Sequence, residues 1–172
     1  MPEQVMQDHD KIGPQRYRES FGRYFDDFVV GDVYEHRPGR TITESDNTWF
    51  TLITMNTHPL HFDKAYAAKS EFKRPLVNSC LTLSMVVGMS VSDISQKAIG
   101  NLGWTDIKLT SPVFVGDTIY AESEVLAKRE SASRPGQGLV TVRTIGKKDD
   151  GTRFISFERT ALIAKRGHGI ED

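Results

Sequence analysis

Residues Pro75 to Ser95 read PLVNSCLTLSMVVGMSVSDIS, and the folding of this stretch decides the architecture. Leu81, Met85, Val86 and Met89 recur at helical spacing and share one face. Leu83, Val87 and Val91 carry the apolar surface round the other side. A helix that is greasy on most sides is buried on most sides. The pattern therefore predicts a central helix from Asn78 to Ile94, with the remaining chain wrapped around it. Ser79, Ser84, Gly88 and Ser90 are small enough to let neighbouring backbone approach closely.

Downstream the texture changes to strands. GNLGWTDIKLTSPV, GDTIYAESEVLAKRES, GLVTVRTIGKKD and GTRFISFERTALIAKR are each bounded by Gly, Pro or Asp. TIYAESEV and RFISFERTAL alternate apolar and polar residues, as half-buried antiparallel strands do. The Asp150-Gly151 pair inside KKDDGTR joins the last two as a hairpin. Upstream, a strand is expected from Val33 to Arg40. Thr43 caps a short helix over residues 44–54, supported by Trp49, Leu52 and Ile53 at helical spacing. Pro59 stops that helix, and Asp63 opens another short one. Residues 1–23 read as a charged arm and 24–172 as one domain. The fold class is α+β: an antiparallel sheet round one long helix. A sheet edge of this kind gains from a second copy, so a homodimer is expected.

With 172 residues, 38% hydrophobic content and a net charge of −1, the chain suits one soluble domain. The near-neutral charge and the absence of a basic stripe argue against nucleic acid. No apolar run is long enough to span a bilayer. The polar N-terminus is not a signal peptide, and Cys80 as the single cysteine fits a reducing compartment, so the cytoplasm is expected.

The chemistry-bearing stretch is TMNTHPLHFDKAYA, Thr54 to Ala67. His58 and His61 flank Pro59, with Asn56 ahead and Asp63 behind. Such a cluster reads as an active site, a metal site or a polar loop. Zinc would need ligands to converge from irregular spacing with no cysteine nearby, which argues against a metal. Asp63 is as well suited to capping the next helix as to catalysis.

Three segments in register resemble the MaoC-like dehydratases, the R-specific enoyl-CoA hydratases of the hot-dog fold. TMNTHPLHFDKAYA is similar to that family's Gly-Asp-x-Asn-Pro-(Leu/Ile)-His-x-Asp. RPLVNSCLTLSM stands where the family enters its central helix, and SPVFVGDTIYAESEV resembles its Pro-Val-x-x-Gly-Asp-Thr strand entry. The match runs from Phe25 to Arg166. The resemblance implies a hot-dog fold and an acyl-CoA substrate, with water added or removed across C2–C3 and no cofactor. It puts His61 on the catalytic histidine. Asn56 falls on the usual aspartate and His58 on the usual asparagine, and Asn78-Ser79 replaces His-Gly. The Asn-Thr form, together with AKRESASRPGQGLVTVRT, is similar to the branch near mesaconyl-CoA hydratases, which handle short branched or dicarboxylic acyl-CoAs.

On that reading His61 takes a proton from water. Asn56 cannot titrate but can hold water or the imidazole. The acid role stays open among His61, Asp63 and His58. Backbone amides near Asn78, Ser79 and Cys80 would stabilise the thioester oxyanion. Leu81 and Met85 would line the acyl tunnel. Arg129, Arg134 and Arg143 are weaker candidates for CoA phosphates. Two rivals remain: a hot-dog acyl-CoA thioesterase, and a non-catalytic acyl-CoA-binding subunit. The missing aspartate favours the latter and His61 opposes it.

Overall fold

The computed structural model describes residues 10–11, 17–18 and 20–170. Most of the expected arm lies outside them; within it, Asp10–Lys11 pairs antiparallel with Tyr17–Arg18. The main sheet has five strands: β1 (Val33–Thr41), β2 (Ala98–Leu109), β3 (Thr118–Glu130), β4 (Gln137–Lys148) and β5 (Arg153–Ala164). Their spatial order is β1-β3-β4-β5-β2, and every pair is antiparallel. Alternation sets the faces. Ile119, Ala121 and Val125 on β3, with Val140 and Val142 on β4, point to the core. At the β4–β5 turn Gly151 takes a positive φ of 85°, which its missing Cβ allows without strain.

Among the described residues three α-helices accompany the sheet: α1 (Glu44–Ile53), α2 (Lys64–Ala67) and α3 (Ser79–Met89). Thr43 caps α1 reciprocally with Asp46, Asp63 caps α2, and Asn78 caps α3. A π-helical turn, Val91–Ser95, follows α3. Leu81 and Val86 of α3 pack with Ile42, Val77, Ile119 and Phe157 in the core. Each fully buried aliphatic side chain there contributes roughly 1.5–3 kcal/mol. The helix-in-sheet layout is the one expected of a hot-dog fold. No helix among the described residues is long and apolar enough to cross a membrane.

Two expectations are corrected. α3 is not buried on most sides. Cys80, Ser84 and Gly88, four residues apart in turn, form an exposed strip, and a Cβ on Gly88 would meet nothing within 4 Å. A single five-stranded sheet covers only one side of a helix, so the small residues face outward. In α1 the polarity runs against the usual rule. Trp49 is 68% exposed, and Leu52 and Ile53 are exposed beside it, while Asn47 and Thr51 are buried. The reason is hydrogen bonding: Asn47 and Thr51 turn inward because buried backbone groups there need partners.

Candidate active site

His61 ends a short 3-10 turn, Pro59–His61. Its Nδ1 lies 2.9 Å from the carbonyl oxygen of Leu76. A carbonyl only accepts, so Nδ1 carries the proton and Nε2 presents a lone pair. Leu76 belongs to the extended segment that leads into α3, so the imidazole is anchored to the approach of the central helix.

The link is doubled by a residue that the sequence reading passed over. Asn47 is 1% exposed. Its Nδ2 donates to the carbonyls of His61 at 2.8 Å and Leu76 at 3.2 Å, and its Oδ1 accepts from the Asn78 amide at 2.9 Å. One side chain thus ties the histidine loop to the N-terminus of α3. Thr51 Oγ1 donates to the Asn47 carbonyl at 2.6 Å, and the Thr51 carbonyl accepts from the Asn56 amide at 3.0 Å. The available signal was the spacing: two small polar residues four apart on the α1 face that lacks Trp49 and Leu52.

α1 itself is fixed at its start. Burial disfavours the Asp46 carboxylate, but bonds from the Thr43 amide and hydroxyl and from Arg40 outweigh it and hold the carboxyl below its ordinary range. Arg40 reaches Asp46 at 2.6 Å.

The other candidates sort by their partners. Asn56 Oδ1 accepts from the His58 amide at 2.9 Å, and no hydrogen bond among the described residues joins Asn56 to His61. Its NH₂ remains the part that can meet a ligand. His58 is exposed, and its Nδ1 accepts from the Leu60 amide at 3.1 Å, so it caps the 3-10 turn. The two imidazole rings are 5.9 Å apart. Asp63 accepts from the Tyr66 amide at 2.9 Å, the capping alternative. Asn78 is buried, and its Oδ1 accepts from the Cys80 amide at 2.9 Å. The Ser79 amide has no acceptor among the described residues and stands on the first turn of α3, where the helix dipole favours negative charge.

Two cavities flank this construction. One of about 180 Å³ is lined by His61, Asn47, Arg74, Pro75 and Val115 among others. The second, about 300 Å³, is lined by Leu76, Val77, Ser79, Thr82 and Leu109 among others. They meet along the chain at residues 74–79, with Arg74 and Pro75 lining the first and Leu76, Val77 and Ser79 the second. Leu81 and Met85 pack into or against the core and line neither; Thr82 does. Cys80 is exposed. Arg129 and Arg134 line a separate hollow at the opposite end of β2 from Leu109, and Arg143 is paired with Glu158 at 3.0 Å.

The arrangement combines an imidazole with a free nitrogen, a helix-terminal amide and adjoining space for an acyl group. Those are the parts for moving a proton beside a developing oxyanion.

Known proteins resemble the chain both in sequence and in structure. The sequence pattern of the mesaconyl-CoA hydratase family matches residues 12–172. The mesaconyl-CoA hydratase of Cereibacter sphaeroides is 31% identical over 145 residues, covering 84% of this chain and 42% of that protein. The chain therefore spans under half the length of the mesaconyl-CoA hydratases it matches. Among solved structures, the (R)-hydratase of Aeromonas caviae aligns with a TM-score of 0.65 at 28% identity, covering 78% of this chain and 96% of that one. A Mycobacterium tuberculosis protein described as a double hot-dog fold aligns with a TM-score of 0.79 at 25% identity, covering 88% of this chain and 47% of that one.

Proposed function

The chain belongs to the mesaconyl-CoA hydratase family, and from that premise we propose that it adds or removes water across C2–C3 of an enoyl-CoA thioester. The observation that carries the reading is the Nδ1 bond from His61 to the Leu76 carbonyl at 2.9 Å. It leaves Nε2 as a proton acceptor beside a cavity. In the hydration direction Nε2 takes a proton from water as the oxygen bonds to C3. The C2–C3 π electrons move toward the thioester, and negative charge builds on its oxygen. The Ser79 amide stands where α3 begins and donates to that oxygen. The imidazolium then returns its proton, directly or through water, to C2. Asn56 offers its NH₂ to the water or to the substrate. In the dehydration direction the same groups act in reverse order.

The proposal extends to assembly and place. β2 is an edge strand that exposes Ile99, Leu102, Trp104, Ile107 and Leu109, and α1 exposes Trp49, Leu52 and Ile53. These surfaces support a homodimer, and the single cysteine, Cys80, supports a reducing compartment such as the cytoplasm.

The test is a panel of enoyl-CoAs of differing length and branching, with saturated acyl-CoAs as controls. Loss of the conjugated thioester absorbance without release of free CoA supports the hydratase. Free CoA released from the saturated controls would point to the thioesterase instead. Binding without turnover of any enoyl-CoA would leave the chain as an acyl-CoA-binding subunit.

A further inference from the structure

The central helix is held at both ends by side chains from other elements. At its start, Asn47 of α1 accepts from the amide of Asn78, the N-cap of α3, at 2.9 Å. At its end, the C-cap is Ser90, which is buried. Arg159, in the middle of β5, donates through Nη2 to Ser90 Oγ at 3.0 Å, and Ser90 Oγ donates to the Val87 carbonyl at 2.6 Å. Between its ends α3 meets the core through the apolar side chains of Leu81 and Val86. Such contacts are non-directional, and the exposed strip of Cys80, Ser84 and Gly88 leaves one side of the helix uncovered. Hydrogen bonds are directional, so those at the two ends fix where the helix lies along its axis.

Arg159 is a costly residue to place there. It is 1% exposed, and none of the ion pairs among the described residues includes it. Its Nε and Nη1 find no partner among the described residues, and burial pulls its pKa down. A buried charge without an acid contributes little to stability, and an apolar residue of similar volume often does as well. What the guanidinium supplies is a fixed point, a rigid fork set on β5 and aimed at the end of the helix.

We propose that Arg159 is a positioning residue for the oxyanion donor: through Ser90 it holds α3 at the axial position that puts the Ser79 amide against the thioester oxygen. This rests on the hydratase reading above. With 11 residues in α3 and a rise of 1.5 Å per residue, Arg159 acts about 16 Å from that amide. The helix carries the constraint as a rigid element. Charge develops on the thioester oxygen only toward the transition state, so a displaced amide lowers kcat more than it raises KM.

The experiment compares wild type with Arg159→Met, Arg159→Lys and Ser90→Ala. It reads kcat and KM for one enoyl-CoA, the urea midpoint, and the Ser79 amide signal in nitrogen-15 spectra. Arg159→Met should keep its midpoint near wild type and lose kcat about 3- to 30-fold, less than the roughly 100-fold of a 1 Å misplacement. KM should change less. Arg159→Lys, which keeps a donor for Ser90, should restore part of the loss. Ser90→Ala should show a similar loss, and the double variant should lose no more than the worse single one, because both remove the same link. If Arg159→Met does not fold, Ser90→Ala carries the same test. A cation that only steadies the helix end would lower the midpoint and leave kcat per folded molecule unchanged, which would overturn the proposal. An unmoved Ser79 signal in the ligand-free variants would overturn it too. A displaced Ser79 signal in a protein that hydrates no enoyl-CoA would keep Arg159 in its place and sink the hydratase reading instead.

Discussion

His36 and His61 are both anchored by hydrogen bonds to distant parts of the chain, and they differ in what is left over. His36 on β1 is 0% exposed. Its Nδ1 lies 2.8 Å from Asp93 Oδ2, and its Nε2 lies 2.7 Å from Ser123 Oγ, which in turn meets Thr144 Oγ1 at 2.8 Å. Arg23 closes the cluster on Asp93 at 3.1 Å. Serine, histidine and aspartate stand there in the order of a nucleophilic triad, yet Ser123 is 0% exposed and none of the cavities described above includes it. The cluster fastens β1, β3 and β4 to the π-helical turn after α3. His61 is anchored through Nδ1, its Nε2 has no hydrogen-bond partner among the described residues, and the residue lines a cavity. Two satisfied nitrogens make a structural histidine; one satisfied nitrogen and an open cavity make a chemical one.

That contrast breaks most visibly in activity. His61→Ala should lower the hydration rate by roughly two to four orders of magnitude, the scale of a positioned acid–base group. Its urea midpoint should stay near wild type. A steady-state rate and an equilibrium denaturation curve on the same preparation check both halves. His36→Ala should do the converse. Removing it takes one hydrogen bond each from Asp93 and Ser123, which keep Arg23 and Thr144 as partners, so stability should fall by about 1–3 kcal/mol, while the rate per folded molecule holds. Equal rate loss in both variants would erase the distinction.

Asn47 sharpens the comparison, because it makes the His61 loop and the start of α3 one unit. Asn47→Ala should lower kcat about 10- to 100-fold, since small misplacement of a positioned group is costly. KM for an enoyl-CoA should change less. A purely structural Asn47 would instead lower the folded fraction and leave kcat per folded molecule unchanged.

Much of this fold could be read from residue patterns. The apolar period of Leu81 to Met89 marked α3, Thr43 marked the start of α1, and Asp150-Gly151 marked the last hairpin. The burial of the helices was not readable, because coverage depends on how far a sheet reaches round a helix. Cys80, Ser84 and Gly88 carry no sign that they face outward, and Trp49 carries every sign of facing inward. In the site, His61, Asn56, His58 and Asp63 were visible as polar residues clustered in a short span. The Leu76 carbonyl was not, since a backbone acceptor has no sequence signature. His36 sat in HRPG without a nearby partner, because Asp93 and Ser123 reach it only through the fold.

The smallest effect concerns pH. The hydrogen bond from His36 lowers the Asp93 carboxyl pKa, with burial opposing and Arg23 assisting. A carboxyl lowered on folding contributes stability that is fully present above its unfolded value of about 3.9. That contribution is lost as pH falls through the folded value, so the window lies below about pH 4. Asp93→Asn should cost about 1–3 kcal/mol at pH 7, and the gap to wild type should close on acidification. Denaturation curves from pH 7 down to the acid transition check the sign; a gap that widens in acid contradicts it.

The central claim is that the Leu76 carbonyl fixes the proton of His61 on Nδ1 and leaves Nε2 free to act. Nitrogen-15 spectra of histidine-labelled protein, recorded where the imidazole is neutral and assigned with His61→Ala, read this directly. The account predicts a protonated Nδ1 and a bare Nε2 at His61, with the Nε2 signal moving when a saturated acyl-CoA is added and the His36 signals unmoved. A proton on Nε2 of His61, or a ligand response at His36 in its place, would contradict it.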